Sequence, residues 1–165
     1  VYVTQDQAEA MSMADQVVLM REGRVEQDAT PAALYARPAS VFAASFIGTP
    51  PMSLLRLVPG RDGAEVAGAA AFAVAPAEAA GALRGVRPEE VTPTDGTGLP
   101  TRVLDAEFLG AETVVTCAVG DGAERVQARI PGNHPLRPGT KLHVRLPQAI
   151  HLFDAADGRR LPDSP

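Results

Sequence analysis

The chain has 165 residues and a formal net charge of −5, and 45% of its residues are hydrophobic. This composition is typical of a globular protein with one ordinary core or two small ones. Only 4% of the residues are aromatic and none is tryptophan, which with the negative charge argues against a nucleic-acid partner, because bases stack on aromatic rings and phosphates need lysine and arginine. No apolar run approaches the roughly 20 residues that span a bilayer, so we expect no direct membrane insertion.

The N-terminal residues predict a strand, a polar loop and a helix. Val1–Thr4 is short, β-branched and aromatic, as expected for the last turns of a buried strand. Asp6 should cap the helix that follows, and Glu9 should complete a capping-box pair. Apolar residues then recur at helical spacing, at Ala8, Met11 and Ala14. Strand, loop and helix in this order are typical of a parallel α/β sheet. Because the chain begins inside a strand, we expect it to be a fragment of a longer protein.

A β-hairpin is predicted next. Val17–Met20 and Val25–Gln27 are short runs with apolar residues, and the polar segment between them contains Gly23. A glycine at this place accommodates the backbone of a tight hairpin turn. We therefore expect the two runs to pair and the chain to reverse at Gly23.

Two short helices should follow the hairpin. Thr30-Pro31 is typical of a helix start, with threonine as N-cap and proline at the first helical position. This helix should carry Leu34-Tyr35 and end before Arg37-Pro38, because the residue before a proline disfavours helical geometry. A second helix over residues 41–46 should end near Gly48. We conclude that residues 1–48 are the α/β tail of a domain.

The pattern changes after Thr49–Met52, a stiff, proline-containing linker and the proposed domain boundary. The rest of the chain consists of short runs separated by Gly, Pro and Asp, and two of these runs alternate between apolar and polar residues. The expected strands are Ser53–Val58, Thr113–Val119, residues 126–130 and residues 142–146. Short strands at this spacing favour a small β-barrel or sandwich for residues 53–165.

Taken together, these segments resemble the C-terminal part of the ATP-binding subunit of bacterial ABC importers. Residues 1–11 are similar to the switch-loop segment of ABC ATPases, in which Thr-His-Asp-Gln is followed by Glu-Ala. Later segments continue this resemblance, and those from Phe46–Met52 onward most closely resemble the subfamily that serves maltose, other oligosaccharides and glycerol-3-phosphate. The later segments are Ala14–Met20, Gly23–Gln27, Thr30-Pro31, Leu34-Tyr35, Arg37-Pro38, Phe46–Met52, Gly85–Glu89, Phe108–Glu112, His151–Asp154 and Gly158-Arg159. Each motif alone is weak, but their shared order makes the resemblance specific.

The resemblance implies a fold and a domain division. Residues 1–48 would be the C-terminal tail of an α/β nucleotide-binding domain, residues 49–52 a linker, and residues 53–165 an all-β, OB-like regulatory domain of the TOBE type.

The resemblance also implies a function: energising an importer for carbohydrates or glycerol-3-phosphate. The full-length subunit would bind ATP and Mg²⁺, form a homodimer with a second ATP-binding subunit, and sit on membrane permease subunits at the cytoplasmic face of the cell membrane. The C-terminal domain would add to the dimer contact and, in some relatives, receive signals from a regulatory protein.

ATP hydrolysis needs parts that this sequence does not contain. No G-x-x-x-x-G-K-[ST] loop occurs, and the only lysine is Lys141, far downstream. The signature loop and catalytic glutamate of the family are also absent, so we expect no ATP or Mg²⁺ binding by this chain alone and no independent hydrolysis. Gln5 occupies the position of the switch histidine. Glutamine can donate an amide hydrogen bond but cannot pass a proton, so hydrolysis should be impaired even in a complete subunit.

Other chemically capable residues are better explained by structure. They are His134, His143 and His151, the pair Glu89-Glu90, Ser45, Cys117 and Arg87. The histidines lack metal-ligand spacing, and Ser45 lacks a G-x-S-x-G setting. Cys117 lies in an apolar run typical of a core. The segment that begins with Arg87 should fix a turn or a domain contact.

Two alternative functions remain open from the sequence. The chain could be a stand-alone OB-like module that binds a ligand or a regulator without ATP. It could also be the inactive remnant of a split gene, which the glutamine at position 5 would suit.

Overall fold

A computed structural model describes residues 1–69 and 72–162. The N-terminal part contains α1 (Gln7–Met13), β1 (Val17–Arg21), β2 (Arg24–Ala29), α2 (Pro31–Ala36) and α3 (Val41–Phe46). The strands that follow are β3 (Ser53–Pro59), β4 (Ala64–Val66), β5 (Ala73–Ala75), β6 (Leu83–Val86), β7 (Thr92–Thr94), β8 (Leu99–Phe108), β9 (Glu112–Val119), β10 (Arg125–Pro131), β11 (Lys141–Arg145) and β12 (His151–Phe153). None of the helices in these ranges has the length and apolar character required to cross a membrane.

The predicted strand at Val1–Thr4 is not formed. The first three side chains, of Val1, Tyr2 and Val3, are exposed, and the segment pairs with no described strand. A β-strand needs a neighbour to take its backbone hydrogen bonds, and the described residues provide none here. For the same reason no parallel sheet is present in the described ranges, where every strand pair is antiparallel.

The hairpin and the two helices form as predicted. Arg21 pairs with Arg24, which leaves Glu22 and Gly23 as a two-residue turn with φ of +50° and +76°. Thr30 caps α2 by accepting a hydrogen bond from the Ala33 N–H at 3.3 Å. The helix then ends at Ala36, before Arg37-Pro38, as expected. A small core joins these elements through Leu19, Leu34, Ala43 and Ile47.

Residues 53–162 contain two five-stranded antiparallel sheets. Their strand orders are β12-β6-β3-β4-β5 and β10-β9-β8-β11-β7. The predicted strands coincide with β3, β9, β10 and β11, except that Leu146 lies one residue beyond the end of β11, and the all-β prediction is confirmed at the level of antiparallel sheets. Both sheets contribute to one core, with Leu55, Val86, Val103, Val115 and Val144 almost completely buried.

The two sheets meet where β3, the central strand of one sheet, lies beside β10, an edge strand of the other. The Gln127 N–H donates to Ser53 Oγ at 3.1 Å, and the Arg56 N–H donates to Glu124 Oε2 at 2.9 Å. Arg56 also forms an ion pair with Glu124 at 3.0 Å. Side chains therefore join the two sheets at this edge.

The end of the chain returns to the N-terminal part. Phe153, at the end of β12, is fully buried and packs with Ala44 and Met52. Beyond it, the Val41 N–H donates to the Gly158 carbonyl oxygen at 2.8 Å, and the Arg160 N–H donates to that of Ala39 at 2.9 Å. The loop before α3 is thus held by residues more than a hundred positions downstream.

Candidate functional site

The predicted site residue, Gln5, lies exposed in the loop before α1. Among the residues in the described ranges, none forms a hydrogen bond with its side chain. The amide is therefore directed neither into a core nor into a local cap. It can donate or accept a hydrogen bond at the surface, but its side chain has no titratable proton.

The residues around Gln5 hold the loop in place. Asp6 caps α1 as predicted, because its Oδ1 accepts from the N–H groups of Ala8 at 2.8 Å and Glu9 at 3.1 Å. The reciprocal half of the capping box is wrong. Thr4 Oγ1 accepts the Asp6 N–H at 3.0 Å, while the Glu9 carboxylate accepts the Thr4 hydroxyl at 2.9 Å. Threonine intercepts the backbone donor that the glutamate would have taken.

Gln7 fastens this loop to the linker. Its Oε1 accepts from the Gly48 N–H at 2.7 Å, and its Nε2 donates to Thr49 Oγ1 at 3.2 Å. Gln7 is the first residue of α1, so the two contacts fix the start of the helix as well as the loop. Sequence reasoning grouped Gln7 with the polar loop and did not find this role, because its partners are 41 and 42 residues away.

On the other side of the linker lies Arg87, which is only 3% exposed. Its Nη1 donates to the Ile47 carbonyl oxygen at 2.5 Å and its Nη2 to the Tyr35 carbonyl oxygen at 2.8 Å. Burial lowers the pKa of the guanidinium, and the neighbouring Tyr35, Glu89 and Glu90 oppose that shift. The segment at Arg87, for which the sequence predicted either a turn or a domain contact, thus contacts residues 35–47.

Tyr35 completes this contact. Its ring lies under the Arg87 guanidinium, and its hydroxyl donates to the Glu89 carboxylate. Burial, followed by the hydrogen bond to Glu89, raises the pKa of Tyr35 to about 12. The contact therefore requires the phenol to stay protonated, because only the neutral form can donate to a carboxylate.

The remaining candidates do not assemble into a site. His134 Nε2 lies 2.9 Å from the Pro131 carbonyl oxygen, His151 Nδ1 lies 3.0 Å from Arg160 Nη1, and His143 lies on β11. In the described part of the chain, no three His, Cys, Asp or Glu residues are placed to hold a metal ion.

Three further candidates, Cys117, Ser45 and the pair Glu89-Glu90, have structural settings. Cys117 is buried within β9, and burial raises the pKa of its thiol, which disfavours the reactive thiolate. Ser45 is exposed on α3. Of the pair Glu89-Glu90, the first is the partner of Tyr35 rather than an acid–base catalyst.

The described residues do not fit an ATP–Mg²⁺ complex by themselves. The carboxylate of Asp6 is already used to cap α1, and within residues 1–69 and 72–162 no group of three His, Cys, Asp or Glu side chains is placed to hold a metal ion near Gln5.

Comparison with known proteins adds an independent finding. The TOBE domain family matches residues 84–153. The sn-glycerol-3-phosphate import ATP-binding protein UgpC of Cereibacter sphaeroides is 43% identical over 164 residues, which are 98% of this chain and 46% of that protein. The UgpC proteins of Burkholderia thailandensis and Chromohalobacter salexigens are 42% and 40% identical, over 97% and 98% of this chain and 47% and 46% of their own lengths.

The chain thus spans about half the length of the curated relatives it matches, and the match covers their C-terminal part. Residues 84–153 thus match the TOBE domain family, and nearly the whole chain is similar to the C-terminal part of sn-glycerol-3-phosphate import ATP-binding proteins, as the sequence motifs predicted.

Proposed function

We propose that this chain is the C-terminal portion of the ATP-binding subunit of an ABC importer for glycerol-3-phosphate or a carbohydrate. The observation that carries the proposal is the continuous similarity to three UgpC proteins over 97–98% of the chain. Residues 1–48 would be the tail of the α/β nucleotide-binding domain, residues 49–52 the linker and residues 53–165 the OB-like TOBE region. Two separate hydrophobic clusters, one around Leu34 and one around Val115, support this division.

The partners follow from the same proposal. The complete subunit would pair with a second copy and dock on membrane permease subunits at the cytoplasmic face of the cell membrane. The TOBE region would contribute to the dimer contact and take up regulatory signals. The exposed apolar side chains of Val1, Val3, Val18, Met20 and Val25 suit a segment that is covered by the rest of such a subunit.

Gln5 would lie at the switch position of the complete subunit. A glutamine there can hydrogen-bond to a phosphate oxygen, but it offers neither a charge nor a transferable proton. We infer that hydrolysis is impaired while nucleotide binding is retained. By itself the chain should not hydrolyse ATP, because a P-loop and a catalytic glutamate lie outside it.

A chimeric subunit tests the proposal. Residues 1–165 replace the matching part of the Cereibacter sphaeroides UgpC protein, and the chimera is co-expressed with that system's permease subunits. Co-purification with the permease and nucleotide binding are expected. ATPase activity should fall about 10²-fold or more below that of the unmodified subunit, within the range for lost acid–base or electrostatic assistance.

Two variants of the chimera separate the claims. Gln5→His should recover much of the ATPase activity, whereas Gln16→His, a change at an exposed glutamine nearby, should recover none. A folded chimera that never binds the permease would refute the subunit proposal. Full ATPase activity with Gln5 in place would refute the impairment.

A further inference from the structure

The peptide group between Ile47 and Gly48 links two parts of the molecule: the loop before α1 that carries Gln5 (the Gln5 loop) and the two sheets of residues 53–162 (the β-sheet region). The carbonyl of Ile47 accepts the hydrogen bond from Arg87 Nη1 at 2.5 Å. The N–H of the same peptide group, on Gly48, donates to Gln7 Oε1 at 2.7 Å. The peptide unit is planar, with its C=O and N–H pointing in opposite directions when trans. Arg87 and Gln7 therefore bind opposite edges of one rigid peptide group.

The side chains of both Arg87 and Gln7 are restricted in position by further contacts. Arg87 is buried, and a second hydrogen bond to Tyr35 and the stacking on the Tyr35 ring fix its guanidinium. Gly48 has φ of +113°, and a Cβ added to it would lie 2.8 Å from Arg87 Nη1. On the loop side, the second hydrogen bond of Gln7, to Thr49 Oγ1, restricts its amide to one orientation. A rotation of the Ile47–Gly48 peptide group must therefore change its hydrogen bonds to Arg87 and to Gln7 together.

We propose that the Ile47–Gly48 peptide group couples the β-sheet region to the Gln5 loop, with Arg87 and Gln7 as the positioning residues. A displacement of Arg87 rotates the Ile47–Gly48 peptide group, and the hydrogen bond from Gly48 to Gln7 transmits this rotation to the Gln5 loop. The reverse path also operates, because an equilibrium coupling between two sites is reciprocal. In a complete subunit this path would let a signal received by the TOBE region move Gln5; that consequence rests on the proposed function, whereas the coupling itself does not.

Hydrogen exchange of the whole chain tests the coupling without any nucleotide. Arg87→Lys removes the fork that reaches two carbonyl groups while keeping the charge. The Gly48 amide, and the Ala8 and Ala10 amides at the start of α1, should then exchange about tenfold faster, as expected for the loss of one net hydrogen bond. The matched control is Arg84→Lys. Arg84 is 2% exposed, and it donates to two backbone carbonyls, of Val74 and Pro147, away from the linker. This control should slow or speed exchange at the three amides by less than twofold after correction for global stability.

The double variant identifies the path. In a Gln7→Ala background, Arg87→Lys should change the exchange rates of Ala8 and Ala10 by less than twofold, because the hydrogen bond between Gly48 and residue 7 is already absent. If Arg87→Lys and Gln7→Ala instead change the exchange rates of Ala8 and Ala10 by independent factors that multiply in the double variant, the proposal is overturned. Equal effects of Arg87→Lys and Arg84→Lys on these rates would overturn it as well.

A reciprocal measurement covers the case in which Arg87→Lys does not fold. Gln7→Ala alters a half-buried residue at the start of a helix and should leave the fold intact. It should shift the guanidinium Nε–H resonance of Arg87, but not that of Arg84. An unchanged Arg87 resonance in a folded Gln7→Ala chain would overturn the coupling. A failed permease interaction of the chimera would instead count only against the proposed function.

Discussion

The guanidinium of Arg87 lies 4.0 Å from the centroid of the Tyr35 ring and also donates to the Tyr35 carbonyl oxygen. One tyrosine thus offers its π face and its backbone to the same arginine, while its hydroxyl binds Glu89 two residues further on. The cation–π contact brings a buried charge against a polarisable surface and offsets part of its lost hydration. This pair of residues is one of the polar attachments between the N-terminal segment and the sheets.

Tyr35→Phe should lower the free energy of unfolding by about 1 kcal/mol. The substitution keeps the ring under Arg87 and removes only the hydroxyl that donates to Glu89, so the loss is that of one net hydrogen bond. Urea denaturation measures it. Tyr2→Phe is the control, because the Tyr2 hydroxyl is exposed and lies 3.3 Å from the Glu9 carboxylate. An equal loss in both variants would contradict the special role of Tyr35.

The stability of the chain should fall as the pH rises from 10 to 12. The unfolded tyrosine loses its proton near pH 10, whereas the pKa of folded Tyr35 is raised to about 12. Between these values the unfolded state binds fewer protons than the folded state, so a rise in pH favours unfolding. The stabilisation is fully present below pH 10.

Urea midpoints at pH 9, 10 and 11 measure this dependence. Tyr35→Phe should show a smaller loss of stability over that interval than the wild-type chain. Tyr2→Phe should follow the wild type. Parallel curves for all three proteins would show that Tyr35 titrates normally.

Gly48→Ala should destabilise the chain more than a glycine substitution with a comparable backbone but open surroundings. Both Gly48 and Gly110 have positive φ, of +113° and +90°, so alanine is strained at either position. Only at Gly48 does the added Cβ meet a fixed group, Arg87 Nη1 at 2.8 Å; at Gly110 nothing lies within 4 Å. We expect the free energy of unfolding to drop by about 1 kcal/mol or more beyond the Gly110→Ala value. Thermal or urea unfolding of the two variants compares them directly.

Glu22→Asn should stabilise the hairpin of β1 and β2. Glu22 is a non-glycine residue with φ of +50°, followed by Gly23 at +76°. Asn-Gly is the preferred pair for a two-residue turn with both φ positive, whereas a glutamate side chain is disfavoured there. We expect a gain of about 0.5 kcal/mol in the free energy of unfolding. Glu22→Gln, which keeps the side-chain length, should give no gain; equal effects of the two changes would point to charge rather than to backbone geometry.

The elements that the sequence predicts correctly depend on neighbours within a few residues. Thr30, Ser40 and Asp6 each accept hydrogen bonds from backbone N–H groups of the next turn, so these helix starts follow from local chemistry. The Gly23 turn is equally local. Residue alternation likewise locates β10 and β11, because a half-buried strand repeats every two residues.

What the sequence does not predict depends on distant partners. Val1–Thr4 has the composition of a strand but no neighbour to pair with, so its propensity is not realised. Tyr35 and Glu89 are 54 residues apart, and Gln7 and Gly48 are 41 apart. Nothing in the segment around Gln7 indicates which of its polar residues faces the linker. Gln5 itself is identified as a site residue only through the family resemblance, and the structure places it in an exposed loop.

The position of Phe153 has a consequence for the order of events during synthesis. Its partners, Ala44 and Met52, leave the ribosome about a hundred residues earlier, at a rate of roughly 5–20 residues per second. For those seconds Ala44 of α3 lacks its contact with Phe153, and the Ser40 backbone lacks the Arg159 partner with which it forms a β-bridge. The attachment of the N-terminal segment is therefore completed in two stages: the contact with Arg87 can form first, and the contact with Phe153 only after β12 has been synthesised.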